Sequence, residues 1–235
     1  MKFNVNETIY FLLNAKIKVT GRLVDASNAT LYATASLGAQ EIACIYKPIA
    51  GERPLWDFQE GNLASREVAS FMVSDALGLD LVPPTVLRDG PYGLGMVQAW
   101  VDIDTDVDLM EYFQLDLPEL KKLALFDALI NNTDRKIGHL LPTQDGHLYA
   151  CDHGVTFHKD EKLRTVLWQW AGEQFSQNEI SILSSASTIL PSIDLKELLT
   201  QEEIFALNER LKRLIREGKF PAPSEEWPAV PWPPF

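Results

Sequence analysis

The hydrophobic pattern of the chain changes its period at an acidic link, residues 102–108. Before the link, residues 16–24, 29–36 and 40–48 alternate apolar and polar positions and are rich in β-branched and aromatic side chains. This pattern predicts three consecutive strands. After the link, apolar residues recur three and four positions apart, as on the buried face of a helix. The chain therefore combines a sheet-forming first part with a mainly helical second part.

Shorter segments complete both parts of the chain. In the first part we expect helices near 6–14 and 63–78, the second ending at Gly78, and two more strands within 81–102. In the second part Pro118 marks the start of a helix. The remaining elements predicted there are a helix at 118–132, strands at 139–141 and 147–154, and helices near 176–187, 194–199 and 200–217.

Charge and hydropathy exclude several classes of protein. The 33 acidic and 21 basic residues give a net charge of −12. This balance disfavours nucleic-acid binding, which needs clustered Lys and Arg, and it disfavours stable association with an anionic membrane. There is no convincing signal peptide and no apolar run of about 18 residues or more. We expect a cytoplasmic protein without a nucleic-acid partner.

Two aspartates stand where regular elements end. Asp134 follows a predicted helix, and Asp152 ends a predicted strand. Phosphoryl transfer needs one carboxylate near the attacking group and oxygen ligands for Mg²⁺. It also needs a cation against the phosphates, and Lys47 ends the third strand, where Glu67 on the next helix is a candidate ion-pair partner. These residues together indicate a nucleotide site.

The order of these segments resembles the protein-kinase-like fold. It is most similar to the phosphatidylinositol 3-/4-kinase-related branch, particularly type II phosphatidylinositol 4-kinases and their bacterial relatives. The segments "REVASFMVSDALGLDLVPPTV", "GMVQAWV", "NNTDRKIGHLL" and "DHGVTFH" carry the resemblance, which covers roughly residues 20–160. It implies an α+β, two-lobed fold, with an antiparallel N-lobe sheet, one N-lobe helix and a reduced, mainly helical C-lobe. We expect one domain, residues 1–235, with an N-lobe at 1–101, a C-lobe at 102–220 and a Pro/Trp-rich tail at 221–235.

The resemblance implies a role for each matching residue. Lys47 would bind the α- and β-phosphates of ATP, and Glu67 would be its ion-pair partner. Asp134 would be the catalytic-loop aspartate, with Lys136 on the γ-phosphate. Asp152 would bind the metal.

Other matching positions depart from the family pattern. Residues Gln98 to Val101 would be the hinge that meets adenine through its backbone, and Trp100 either stacks near adenine or belongs to the core. The turn with Ser27 and Asn28 lacks the glycine-rich pattern but can present N–H groups and a hydroxyl to phosphates. His139 stands where an asparagine usually holds a second metal ion, so it would either hold metal together with Asp152 or contact a phosphate directly. Neutral imidazole suits Mg²⁺ less well than Zn²⁺ or Mn²⁺.

These observations favour a phosphotransferase that uses ATP and Mg, with Mn as an alternative metal, and acts on a protein or small-molecule acceptor. Two other functions stay open. His139 and the lack of an Ala-Pro-Glu segment fit a pseudokinase, a nucleotide-binding interaction module. Asp134, His139 and Asp152 also fit a metal-dependent hydrolase or nucleotidyl transferase. The spacing of the four histidines does not match a zinc site.

Each residue taken singly also has a purely structural interpretation. Lys47 can be a strand-end lysine, Asp134 can shape a turn, and Arg135 with Lys136 can be an exposed basic pair. The tail is either a polyproline ligand for a partner or a segment that packs on its own domain. In the second case the packing residues would be Trp227, Trp232 and Phe235.

Overall fold

The N-terminal lobe is built on a five-stranded antiparallel sheet with the order β1-β2-β3-β5-β4. The computed structural model describes residues 4–23 and 29–235. Cross-strand pairing places Lys47 of β3 opposite Met96 of β5, so both strands run through the middle of the sheet. The strands are β1 (Lys16–Arg22), β2 (Leu31–Leu37), β3 (Gln40–Pro48), β4 (Thr85–Gly90) and β5 (Gly93–Ala99).

Glycine at position 95 allows β5 to lie close to β3. A Cβ atom on Gly95 would stand 2.5 Å from the carbonyl oxygen of Lys47 and 2.8 Å from the ring of Tyr46. The Tyr46 hydroxyl in turn donates to the carbonyl of Gly93. The end of β3 that carries Lys47 is therefore held by close backbone contact with β5, and a larger side chain at position 95 would prevent this contact.

Two helices pack on this sheet. Helix α1 (Val5–Asn14) begins with a capping box between Asn4 and Glu7 and covers one face. Helix α2 (Leu63–Ala76) begins at Asn62, whose side chain accepts from the N–H of Ser65. Ten of its fourteen residues are buried, so α2 is covered by the sheet on one side and by the second lobe on the other.

The second lobe is mainly helical and holds the largest apolar cluster of the described residues. Its elements are α3 (Leu109–Tyr112), α4 (Pro118–Ile130), the short hairpin β6 (Leu140–Pro142) and β7 (Leu148–Ala150), α5 (Gln177–Ile189) and α6 (Gln201–Glu217). Single-turn 3₁₀ helices lie at Ile137–His139 and Leu190–Ser192 in this lobe and at Ile49–Gly51 after β3. The loop with Asp134 follows the C-terminal end of α4, and the segment with Asp152 follows β7.

The strands and long helices expected from sequence are found in the expected order, but α3 was not predicted and one predicted helix is absent. The helix predicted near 194–199 is wrong, because the chain there forms turns after the 3₁₀ helix that contains Pro191. The seven residues between that 3₁₀ helix and the Thr200 cap of α6 form a single turn, in which the N–H groups of Leu198 and Leu199 donate to the carbonyl of Leu195. Helix α2 ends as predicted, with Gly78 in the left-handed region at φ +63°. None of the helices in 4–23 and 29–235 has the length and apolar character to cross a bilayer.

Candidate active site

Lys47 stands at the centre of an ion-pair network between the two lobes. Its Nζ lies 2.6 Å from Glu67 Oε1 and 2.8 Å from Asp152 Oδ1. Burial by itself lowers the pKa of Lys47, but the carboxylates of Asp152 and Glu67 outweigh it and raise that pKa above its ordinary value. The Lys47 ammonium likewise holds the pKa of Asp152 far below its ordinary value. Both groups are therefore ionised at neutral pH.

Glu67 connects the lysine to the segment that carries Asp152. Its side chain is 1% exposed, and its second oxygen, Oε2, accepts from the backbone N–H of His153 at 2.9 Å. One carboxylate thus fixes the strand-end lysine and the backbone next to Asp152. Loss of either contact would leave a buried charge or a buried N–H without a partner.

Helix α2 is attached to the second lobe at further points on either side of Glu67. Arg66 is 3% exposed and donates through Nε and Nη2 to Glu203 of α6, at 2.9 and 2.6 Å. One turn later, the hydroxyl of Ser70 lies 3.3 Å from that of Thr156, which donates to the carbonyl of His153. These contacts hold α2 against the Asp152 segment.

Asp152 lies two residues after the end of β7 and has an unusual backbone conformation. Its φ of +60° is in the left-handed region, which a non-glycine residue adopts rarely. This turn directs the carboxylate back toward Lys47, while Oδ2 lies 3.4 Å from His139 Nε2. The Asp152 side chain remains 48% exposed, so it is accessible from the cleft.

His139 is neutral and has a defined tautomer. Burial lowers its pKa to about 4, although the Asp152 carboxylate opposes this shift. Its Nδ1 accepts from the backbone N–H of Lys136 at 3.4 Å, so the ring proton is on Nε2, which faces Asp152. In this arrangement His139 presents its Nε2 proton, and not a lone pair, toward the aspartate.

The donor set fits a hard divalent cation at Asp152. A partly exposed carboxylate is the ligand type that Mg²⁺ and Mn²⁺ bind, with waters and phosphate oxygens completing the shell. His139 fits Mn²⁺ better than Mg²⁺, and only after its Nε2 proton moves. Across residues 4–23 and 29–235, no three His, Cys, Asp or Glu side chains form a preassembled metal site.

Asp134 lies in a loop that begins at the end of α4. Its N–H donates to the side-chain oxygen of Asn132, and Lys136 Nζ lies 3.6 Å from Asp134 Oδ2. Arg164 Nη2 lies 3.6 Å from the other oxygen, Oδ1. Burial raises the pKa of Asp134 above its ordinary value, and the two cations hold this rise back. The carboxylate is thus a stronger base than an exposed aspartate.

Arg135 is fully buried, and the interpretation of Arg135 and Lys136 as an exposed basic pair is wrong for Arg135. Its Nε and Nη2 form two parallel bonds of 2.9 Å with the carboxylate of Asp127 in α4. Its Nη1 donates to the Cys151 carbonyl, and Nη2 lies 2.7 Å from His153 Nε2. Because the guanidinium can only donate, His153 Nε2 accepts, and burial keeps that imidazole neutral by lowering its pKa.

The expected hinge residues make different contacts. The Gln98 side chain is 4% exposed and donates through Nε2 to the Thr85 hydroxyl on the neighbouring strand, so its polar group is already used within the sheet. The N–H of Trp100 donates to Ala43, and its ring packs edge-on against Tyr32. In the part of the chain that the structure describes, Val101 forms no backbone–backbone hydrogen bond. Ser27 and Asn28 lie outside the described residues.

The histidines do not form one cluster. His147 Nε2 bonds to the carbonyl of Asp80, and His158 Nε2 bonds to the carbonyl of Asp57. His139 and His153 lie on either side of the Asp152 segment with separate partners. The weak zinc hypothesis gains no support from this geometry.

Sequence reasoning did not identify several residues that border the site. They include Asp127, Asn132 and Arg164, which hold the loop with Asp134. Asp127 gave a signal, since it is an acidic residue on the apolar face of a predicted helix. Arg164 gave none, because it lies in an irregular segment whose path only the folded chain defines.

A curated mycobacterial relative matches this chain over nearly its full length. Protein Rv2133c of Mycobacterium tuberculosis is 37% identical over 262 aligned positions, which cover 95% of this chain and 94% of the relative. Phosphatidylinositol 4-kinase gamma 4 of rice (Oryza sativa subsp. japonica) is 30% identical over 129 residues. That match covers 47% of this chain and 22% of the rice protein, about a fifth of its length. No family model matches the chain.

Solved structures show the fold. The Golgi casein kinase with Mn and ADP bound superposes with a TM-score of 0.60 at 14% identity, over 91% of this chain and 75% of that chain. Hydra Fam20 with sugar gives a TM-score of 0.57 at 17% identity, over 91% and 87% of the two chains. The predicted α+β, two-lobed kinase-like fold is therefore confirmed. By its full-length similarity, this kinase-like chain belongs to the family of the mycobacterial protein Rv2133c.

Proposed function

We propose that the protein is a phosphotransferase that uses ATP and a divalent metal. The observation that carries the proposal is the continuous set of contacts from Glu67 through Lys47 and Asp152 to His139. Asp134 borders the same set through Lys136, whose backbone N–H bonds to His139. A cation for phosphates, a carboxylate for metal and a second carboxylate of raised pKa thus line one cleft.

Each side chain has a defined part in this proposal. An ammonium has three N–H donors, and Lys47 uses two of them on Glu67 and Asp152, so one remains for a phosphate oxygen. Asp152 would hold the metal ion, which neutralises phosphate charge when it is bound. Asp134 accepts a hydrogen bond from the acceptor hydroxyl and orients it. The acceptor O–P bond forms, the bond between the γ-phosphorus and the bridging oxygen breaks, and the hydroxyl proton leaves through Asp134.

The remaining details are also proposals. The kinase-like neighbour with Mn and ADP supports nucleotide and metal use within this fold. The short rice match supports a relation to the phosphatidylinositol 3-/4-kinase branch. The net charge of −12 favours a protein or small-molecule acceptor in the cytoplasm over a lipid in an anionic bilayer.

Substitution of the two aspartates tests the proposal. Loss of ATP γ-phosphate is measured for the wild type, Asp152→Asn and Asp134→Asn, with Mg²⁺ and with Mn²⁺. Asp106→Asn, in the exposed acidic link, is the matched control. We expect both site variants to lose turnover and the control to keep it. Unchanged turnover in both site variants would refute the assignment.

A nucleotide-binding pseudokinase is the second candidate, and the His139 tautomer favours it. With its Nε2 proton directed at Asp152, His139 offers no lone pair to a second metal ion. Calorimetry with Mg-ATP separates the two functions, because a pseudokinase binds ATP without γ-phosphate loss. Mass spectrometry of the products tests nucleotidyl transfer, which adds a whole AMP to the acceptor.

A further inference from the structure

The last residues of the C-terminal tail lie on the loop that carries Asp134. The backbone N–H of Ile137 donates to the carbonyl of Pro234 at 2.8 Å. The Phe235 ring lies close to Gly138, where an added Cβ would stand 3.8 Å from the ring. Ile137 and Gly138 are the two residues between Lys136 and His139, so the tail contacts the loop in the middle of its candidate site residues.

The tail also binds the segment that follows Asp152. The carbonyl of Ala229 accepts from the Thr165 N–H at 3.0 Å and from the Trp168 indole N–H at 2.9 Å. The Trp227 ring faces two cations, with Lys162 Nζ at 4.8 Å and Arg164 Cζ at 5.8 Å from its centroid. One segment therefore bridges the two loops that carry the candidate aspartates.

Arg164 lies between the tail and Asp134. Its backbone is held on both sides, because its N–H donates to Asn132 and its carbonyl accepts from Arg135. Its side chain donates through Nε to the Thr133 carbonyl at 2.6 Å, and Nη2 lies 3.6 Å from Asp134 Oδ1. The planar guanidinium makes the two contacts through different nitrogens in a fixed geometry, which the single nitrogen of a lysine does not reproduce.

We infer that Arg164 is a positioning residue for Asp134 and that Trp227 of the tail holds Arg164 in place. This inference rests on the proposed function. Without Arg164, only Lys136 would face the Asp134 carboxylate as a cation, and the carboxylate would turn toward it. The charges that face Asp134 are those of Lys136, Arg164 and Asp152. The tail thus contacts the part of the site where Asp134 would orient the acceptor hydroxyl.

Kinetics of Arg164 and Trp227 variants test the role in the reaction. We expect Arg164→Met and Trp227→Ala to lower kcat about 10- to 100-fold, the cost of a misplaced group, with the KM for ATP unchanged. Arg164→Lys keeps the charge and should not restore kcat. The controls are Arg213→Met on α6 and Trp232→Ala, whose side chain is 88% exposed.

Amide hydrogen exchange tests the same contacts without any turnover. Release of the tail in Trp227→Ala should accelerate exchange at the amides of Ile137 and Thr165, which bond to tail carbonyls. Trp232→Ala should leave both amides protected. Unchanged exchange in Trp227→Ala overturns the inference whether or not ATP is consumed. If the wild type turns over ATP and Arg164→Met keeps the same kcat, the inference is overturned and the proposed function stands. If the wild type shows no turnover, the proposed function alone is refuted.

Discussion

Removal of the Asp127 charge is expected to destabilise the protein strongly. Asp127 and Arg135 are both fully buried and share two bonds of 2.9 Å. Breaking a buried ion pair by loss of one partner costs about 3–5 kcal/mol, because the other charge stays in the interior. In Asp127→Asn, Arg135 keeps the carbonyl of Cys151 and His153 Nε2 as acceptors. We therefore expect the lower end, about 3 kcal/mol.

The loss is large against the total free energy of unfolding. Domains are stable by about 5–15 kcal/mol, and for a chain of this size 1 kcal/mol shifts Tm by about 2–4 °C. Asp127→Asn should therefore lower Tm by about 6–12 °C. Arg135→Met should lower it at least as much, because the carboxylate of Asp127 would keep only the Asn132 side-chain amide as a donor.

A double variant distinguishes this explanation from a simple packing defect. Arg135→Met with Asp127→Leu removes both charges, and apolar replacement of a whole buried pair is often neutral. We expect the double variant to be more stable than Arg135→Met alone in urea unfolding. The exposed pair Lys212–Glu209 is the control, and Glu209→Gln should change stability by less than about 1 kcal/mol. Additive losses in the double variant would refute the reasoning.

Three further predictions concern the lysine network, the acid range and the link between the lobes. Lys47→Met should abolish the rise in Tm that Mg-ATP produces, and a retained rise would contradict the phosphate role of Lys47. The folded-state pKa of His139, about 4, lies below its ordinary value, so the stability from the neutral ring is complete above about pH 6.5 and is lost toward pH 4. Urea unfolding of His139→Asn should show a smaller loss over this range, though not none, because burial also lowers the pKa of His153. Glu203→Gln should lower Tm by leaving buried Arg66 without its carboxylate, and an unchanged Tm would show that α2 is held by other contacts.

The main features of the N-lobe site follow from sequence order. A lysine at the end of a strand and a glutamate in the first turns of the next helix come together because β3 and α2 are adjacent in the chain. The structure brings Lys47 and Glu67 within 2.6 Å. The left-handed turn at Asp152 was not predictable, since it depends on the contacts that Lys47 and His139 supply from elsewhere.

The buried contacts that hold the loop with Asp134 could not be predicted from the sequence. Arg135 stands beside Lys136, and neighbouring basic residues usually indicate an exposed surface. Its burial depends on Asp127, eight residues earlier. Asp127 stands out as an acidic residue on the apolar face of a predicted helix, but that pattern does not indicate that Arg135 is its partner. Arg164 lies between Asp134 and the Trp227 ring of the tail, which is some 60 residues later in the chain. A contact between segments so far apart leaves no periodic signal in the sequence.

The attachment of α2 limits how the cleft can be approached by ligands. A compound that needs space behind Lys47 would have to displace α2 and break its buried contacts to His153, Thr156 and Glu203. Each buried polar group left without a partner costs about 1–3 kcal/mol, and more if it is charged. Screening for compounds that bind this protein is therefore better directed at the open side of the cleft, near Val101 and the exposed oxygen of Asp152.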